Sequence, residues 1–170
     1  MQSQYEMKCE LIKIKELSGN KASIYSVIID KDDTTLFEKF INENFDSHLS
    51  EIKNIIQRLK IIGTKTGARE HFFKLHEGVT GDGVCALYDD PDKNLRLYCI
   101  RYGTLIVVLG GGGPKTKDMR AFQESEKLSD ENYLMRAISE KITEKITDKE
   151  IRFSFHAKDF EGDLSFEIEL

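Results

Sequence analysis

Residues 95–117 read LRLYCIRYGTLIVVLGGGGPKTK. Two strongly apolar segments meet at Tyr102-Gly103-Thr104, and a joint that short makes them antiparallel neighbours. Period-2 counting puts Arg96, Tyr98, Ile100 and Tyr102 on one face of the first strand, and Leu97, Cys99 and Arg101 on the other. The second strand, 104–109, runs into Gly110–Gly113 and then Pro114-Lys115-Thr116-Lys117. Basic side chains on a sheet, beside a backbone that admits close approach, suit a phosphate-bearing partner.

Working upstream, residues 84–88 form a third apolar strand, joined to 95–102 by the turn Asp89–Asn94. Residues 8–15 and 23–29 read as strands of a hairpin about Ser18–Lys21. Tyr25, Val27 and Ile29 alternate with Ile24 and Ile28, so both faces of the second strand are apolar enough to bury. Leu36, Phe37, Phe40 and Ile41 recur at helical spacing behind the cap candidates Asp32, Asp33 and Thr34. Leu49, Ile52, Ile55, Ile56 and Leu59 make a second stripe, which Gly63 is expected to stop. The pattern predicts a helical hairpin over 34–62 with one apolar face on the sheet. Residues 63–83 read as a glycine-rich loop tethered by Phe72-Phe73-Lys74-Leu75.

Downstream, Leu134, Ile138, Ile142 and Ile146 predict a helix over 129–146. Ile151, Phe153 and Phe155 alternate with polar residues, as do Leu164, Phe166, Ile168 and Leu170. That predicts a C-terminal β-hairpin extension over 150–170 with one buried face. The whole reads as a single α+β domain over 1–170, an antiparallel sheet packed against a helical hairpin.

The 170 residues are 39% hydrophobic, enough for a core, and 32% charged, as in soluble proteins. The apolar run 105–109 falls far short of the ~18 residues of a membrane span. The segment MQSQYEMKCELIK has no apolar core of a signal peptide. Cys9, Cys85 and Cys99 are odd in number and widely spaced, which fits a reducing compartment and predicts a cytoplasmic protein. The net charge of −5 is uneven: residues 1–57 carry 7 basic and 10 acidic groups, 58–120 carry 11 and 7, and 121–170 carry 7 and 13. A basic middle between acidic ends sets the local potential, which decides what docks there.

The chemistry-bearing residues narrow the choice. Lys115-Thr116 after four glycines invites a P-loop reading, but the template needs glycine at 109 and 114, where Leu109 and Pro114 stand. The run then serves either as a nest of backbone N–H groups for an anion or as a strand end. His71 and His76 are five apart, His48 and His156 are isolated, and no Cys or His pair has zinc spacing, so no metal or cofactor is expected. Asp89 and Asp90 sit in a turn, where solvation is the default. Arginine suits stabilisation of a pentavalent phosphate, because its planar fork matches phosphate oxygens. Tyr98 or Tyr102 beside Arg96 could stack on an unpaired base, or pack across strands.

LRLYCIRYG, TLIVVLGGGGPKT and LMRAISEKI together resemble the sheet core and following helix of RelE-like toxins of bacterial type II toxin–antitoxin modules. Residues 23–146 follow that family's order of strand, helical hairpin, antiparallel strands and helix. The resemblance implies a metal-independent endoribonuclease without a cofactor, with Arg96 and Lys115 catalytic and Tyr98, Arg101, Tyr102 and Lys117 holding the RNA. It implies an antitoxin partner of helix-turn-helix type, RNA or the ribosome as target, and no membrane. Pro114 stands where the family's first lysine falls, and no tyrosine follows Lys115 within a helical turn or two. The second reading is a non-catalytic protein of the same fold that works by protein–protein contact, with the C-terminal hairpin as its extra interface.

Overall fold

A computed structural model of the chain describes residues 6–75, 83–88, 94–115 and 126–170. In chain order these form β1 (Glu6–Lys13), β2 (Ser23–Ile29), α1 (Leu36–Asn44), α2 (Leu49–Ile61), β3 (Phe73–Lys74), β4 (Val84–Leu87), β5 (Leu95–Tyr102), β6 (Ile106–Pro114), α3 (Glu126–Thr147), β7 (Ile151–Phe153), β8 (Phe160–Gly162) and β9 (Ser165–Glu169). Seven strands make one sheet in the order β3-β4-β5-β6-β2-β1-β9, and β7-β8 stand apart as a hairpin. Every neighbouring pair is antiparallel except β2–β6. The fold is therefore α+β, with β4, β5 and β6 contiguous and antiparallel: Cys85 faces Cys99, and Ile100 faces Val108.

Both faces of the sheet are dry in its centre, which is why β4 to β6 carry almost unbroken apolar sequence. On one face, Phe37 and Phe40 of α1 and Ile52, Ile55 and Leu59 of α2 pack on Ile24, Leu97, Cys99 and Leu109. On the other, Leu128, Met135, Ile138 and Ile142 of α3 pack with the β7–β8 hairpin on Tyr25, Tyr98, Ile100 and Val108. Among the described residues no helix is long and apolar enough to cross a membrane.

Three local expectations need correction. The cap of α1 is Thr35, one residue past the expected trio: its hydroxyl accepts from the Glu38 N–H (3.1 Å), while the Glu38 carboxylate accepts from the Thr35 N–H (3.3 Å). Gly63 does not stop α2. The chain continues through a π-type turn, Ile62–Thr66, and leaves it at Gly67, whose φ of +78° suits glycine. The Gly63 carbonyl is occupied instead by the N–H groups of Lys21 and Ala22, which ties this turn to the β1–β2 connection.

The third correction is the C-terminal segment. Residues 150–170 are not one hairpin. β7 pairs with β8, while β9 pairs with β1 and becomes the seventh strand of the main sheet. Lys145, buried at the end of α3, donates to the Ser165 carbonyl (2.6 Å) and pairs with Asp163 (3.0 Å), which fixes where β9 begins. Phe155, expected to point inward, lies beyond β7 and is 96% exposed.

Candidate functional site

The face carrying Arg96 is built around an irregularity in the β5–β6 ladder. Pairing passes from Leu97–Gly112 to Cys99–Leu109, so Gly110 and Gly111 together oppose Tyr98 in a β-bulge. Helix α3 crosses directly over it. A Cβ on Gly110 would collide with the Met135 side chain, and one on Gly111 with the Glu131 carboxylate. On Gly112 it would strike the main-chain carbonyl of Arg96. The glycines thus admit a helix to a strand, and Gly112 and Gly113 are themselves in ladder register. They are neither a loop nor a nest open to an anion. Beneath α3, Arg96 is 7% and Tyr98 2% exposed.

Lys115 comes close to Arg96 along the backbone. Its N–H donates to the Asn94 carbonyl (2.7 Å), carrying the ladder one step past Leu95–Pro114. With Arg96 opposite Gly113, Lys115 is its diagonal neighbour on the same face, a relation that sets Cα atoms about 7–8 Å apart. Lys115 itself is only half-buried.

The remaining candidates disperse. Arg101 lies on the helical-hairpin face, where its Nε donates to the Ala68 carbonyl (2.7 Å) and its guanidinium is 4.0 Å from Glu70. It fastens the segment after α2 to the sheet. Tyr102 meets Phe160 edge-on (5.3 Å between ring centres) and Phe153 at 6.3 Å. Both tyrosines are committed to packing. His71 is exposed against Phe72, His48 precedes α2 without capping it, and His156 is exposed. Lys117, His76, Asp89 and Asp90 lie outside the described residues. Among the described residues no group of three His, Cys, Asp or Glu could hold a metal ion.

Two polar clusters emerge that sequence reasoning did not find. At the start of α3, Lys127 pairs with Glu43 of α1 (3.0 Å) and with Glu131 (3.4 Å). Burial pushes the Glu131 carboxyl above its ordinary value, although Lys127 pulls the other way. One of its oxygens is buried without a hydrogen-bond partner among the described residues. The Lys127–Glu131 spacing of four was a visible signal; the reach to Glu43 was not. The second cluster binds the β7–β8 hairpin to the sheet. Asp159 pairs with Lys13 (2.8 Å) and accepts from the hydroxyls of Ser23 (3.0 Å) and Tyr25 (3.3 Å). The Tyr25 oxygen in turn accepts from the Phe160 N–H (3.0 Å), and burial pushes its hydroxyl up to about 12. No periodicity could link positions 13, 23 and 25 to 159.

Comparison with family models, with curated proteins and with solved structures finds no match for this chain.

Proposed function

We propose that this chain is a non-catalytic binding module that acts through protein–protein contact in the cytoplasm. One observation carries the reading: the face holding Arg96 and Tyr98 is roofed by α3, with Arg96 at 7% exposure. A scissile phosphate must reach its stabilising donor within hydrogen-bond distance, about 2.7–3.1 Å from the developing charge. Here that donor lies under a helix whose close seat depends on Gly110 and Gly111. Three unpaired buried cysteines fit the reducing compartment of this reading.

The second reading is the RelE-like toxin, a metal-independent endoribonuclease neutralised by an antitoxin. The diagonal register of Arg96 and Lys115 favours it, as does the order β2-α1-α2-β3-β4-β5-β6-α3. One experiment separates the two. The chain is induced alone in a bacterial host, and growth and total RNA are followed. A binding module leaves both unchanged. Growth arrest with cut RNA, relieved by Arg96→Ala in a protein that keeps its circular dichroism, overturns the proposal. Loss of one transition-state donor slows chemistry by about 10²–10³-fold, enough to abolish the arrest.

A further inference from the structure

The β7–β8 tip displays an aromatic ring that the fold does not use. Phe155 is 96% exposed, the highest among the described large apolar residues. The loop that carries it is braced. The Ser154 N–H donates to the Asp159 carbonyl (2.8 Å), the Ala157 N–H to the Ser154 carbonyl (2.8 Å), and the Asp159 N–H to the Ser154 hydroxyl (3.1 Å). His156 packs edge-on against the ring at 4.9 Å. Lys158 reaches the Asn20 carbonyl (3.5 Å), which seats the tip beside the β1–β2 connection and its exposed Lys15 and Lys21. Glu16 is the exposed acid in that connection, and Asp159 is already paired with Lys13. The result is an exposed aromatic knob with Lys158 beside it, next to a connection that carries two exposed lysines.

The other end of β1 carries the opposite surface. A groove of about 420 Å³ between α3 and β9 is lined by Glu6, Glu140, Glu144 and Glu169 over a floor of Ala137 and Ile168. Its one lysine, Lys141, is already paired with Glu144 (3.4 Å). Glu6 stands directly opposite Glu169 in the β1–β9 ladder. A like-charge cross-strand pair is unfavourable, and a cation placed beside it relieves the repulsion. Knob and groove lie at opposite ends of an eight-residue strand, about 24 Å apart at 3.4 Å per residue. They cannot meet within one copy.

We infer that the partner is a second copy of this chain, docking head to tail. Phe155 of one copy enters the α3–β9 groove of the next, and Lys15, Lys21 and Lys158 face the groove's glutamates. Because knob and groove are different surfaces, the contact is heterologous and each copy keeps one free end, so assembly continues past a dimer unless it closes into a ring. This inference rests on the interaction reading and names its partner, but it uses no residue of the Arg96 face.

Analytical ultracentrifugation of the full chain tests it. Mass should rise with protein concentration at about 0.01 M salt and fall back to monomer near 1 M, where the Debye length shrinks from about 30 Å to about 3 Å. Phe155→Ala should weaken association at least about tenfold, as loss of an anchor residue does. The groove variant Glu140→Lys/Glu144→Lys should do the same. Phe155, Glu140 and Glu144 are exposed, so both variants should keep the wild-type circular dichroism. Mixed together, the two variants should form one-to-one dimers and nothing larger, since one intact knob and one intact groove remain. A wild type that stays monomeric in low salt overturns the inference, as does association that survives Phe155→Ala or a mixture that stays monomeric. RNA cleavage in the preceding experiment would instead overturn the interaction reading and leave this result standing.

Discussion

At the scale of single residues, the cysteines show how burial sets chemistry. Cys9, Cys85 and Cys99 are all free and all 3% exposed or less. Burial, reinforced by the Asp30 charge, pushes the Cys9 thiol up to about 12. Burial likewise raises Cys99, and the facing Cys85 adds to it. The thiolate is the reactive form, so neither Cys9 nor Cys99 should act as a nucleophile or a redox sensor near neutral pH, and Cys85 is shielded by its burial at 1% exposure. The expected outcome is no labelling by a thiol-reactive disulfide in the native protein at pH 8, and labelling of all three sites in denaturant. Rapid native labelling at any one site would mean that its strand opens locally.

At the scale of elements, the seat of α3 on β6 depends on what the glycines leave out. The four are not equivalent. At Gly113 a new Cβ would touch the flexible Lys127 side chain at 3.4 Å, an ordinary contact. At Gly112 it would meet the Arg96 carbonyl, which cannot retreat without breaking the β5–β6 ladder. Gly112→Ala should therefore cost about 1–3 kcal/mol, the usual penalty of overpacking. Gly113→Ala should fall within about ±0.5 kcal/mol. Urea unfolding of the two variants side by side checks this, and equal costs would mean that the ladder gives way more easily than its register implies.

At the scale of the whole molecule, the β7–β8 hairpin is held to the main sheet through Asp159. Burial pushes that carboxyl up, but the Lys13 ammonium and the hydroxyls of Ser23 and Tyr25 more than reverse it, and the net shift is downward. A depressed folded value means the stabilisation is complete above the unfolded value near ~4 and is lost as pH falls through the folded one. Thermal midpoints of wild type and Asp159→Asn should thus differ at pH 6 and converge in acid, once the pH has fallen through the depressed folded value and the wild-type carboxylate is protonated. A gap that persists in acid would locate the effect in packing and not in charge. The same cluster marks the boundary of what the sequence made legible. The central strands and both helices of the hairpin followed from period and turn chemistry, because Leu95–Leu109 is apolar on both faces and its joints are short. The seat of β9 beside β1 was not legible. SFEIE alternates equally well as half of a local hairpin, and its true partner was decided by Lys145, a lysine with no distinguishing context in sequence. The surroundings of the candidate site were illegible for a related reason: strand alternation put Arg96, Tyr98 and Tyr102 on one face, but could not say that α3 would roof that face.

The lone parallel pairing among the described residues, β2 on β6, has a consequence for how the protein is made. Ser26 of β2 and the Leu109 carbonyl it donates to are 83 positions apart. A ribosome adding about 5–20 residues per second needs roughly 4–17 seconds to cover that distance. Because both strands leave the tunnel with the same delay, β2 emerges that long before β6, with its β6 edge unpaired. Holdase chaperones seek such segments, and a slowed ribosome lengthens the exposure. Synonymous codon changes between the β2 and β6 coding regions should therefore alter soluble yield without altering a single amino acid.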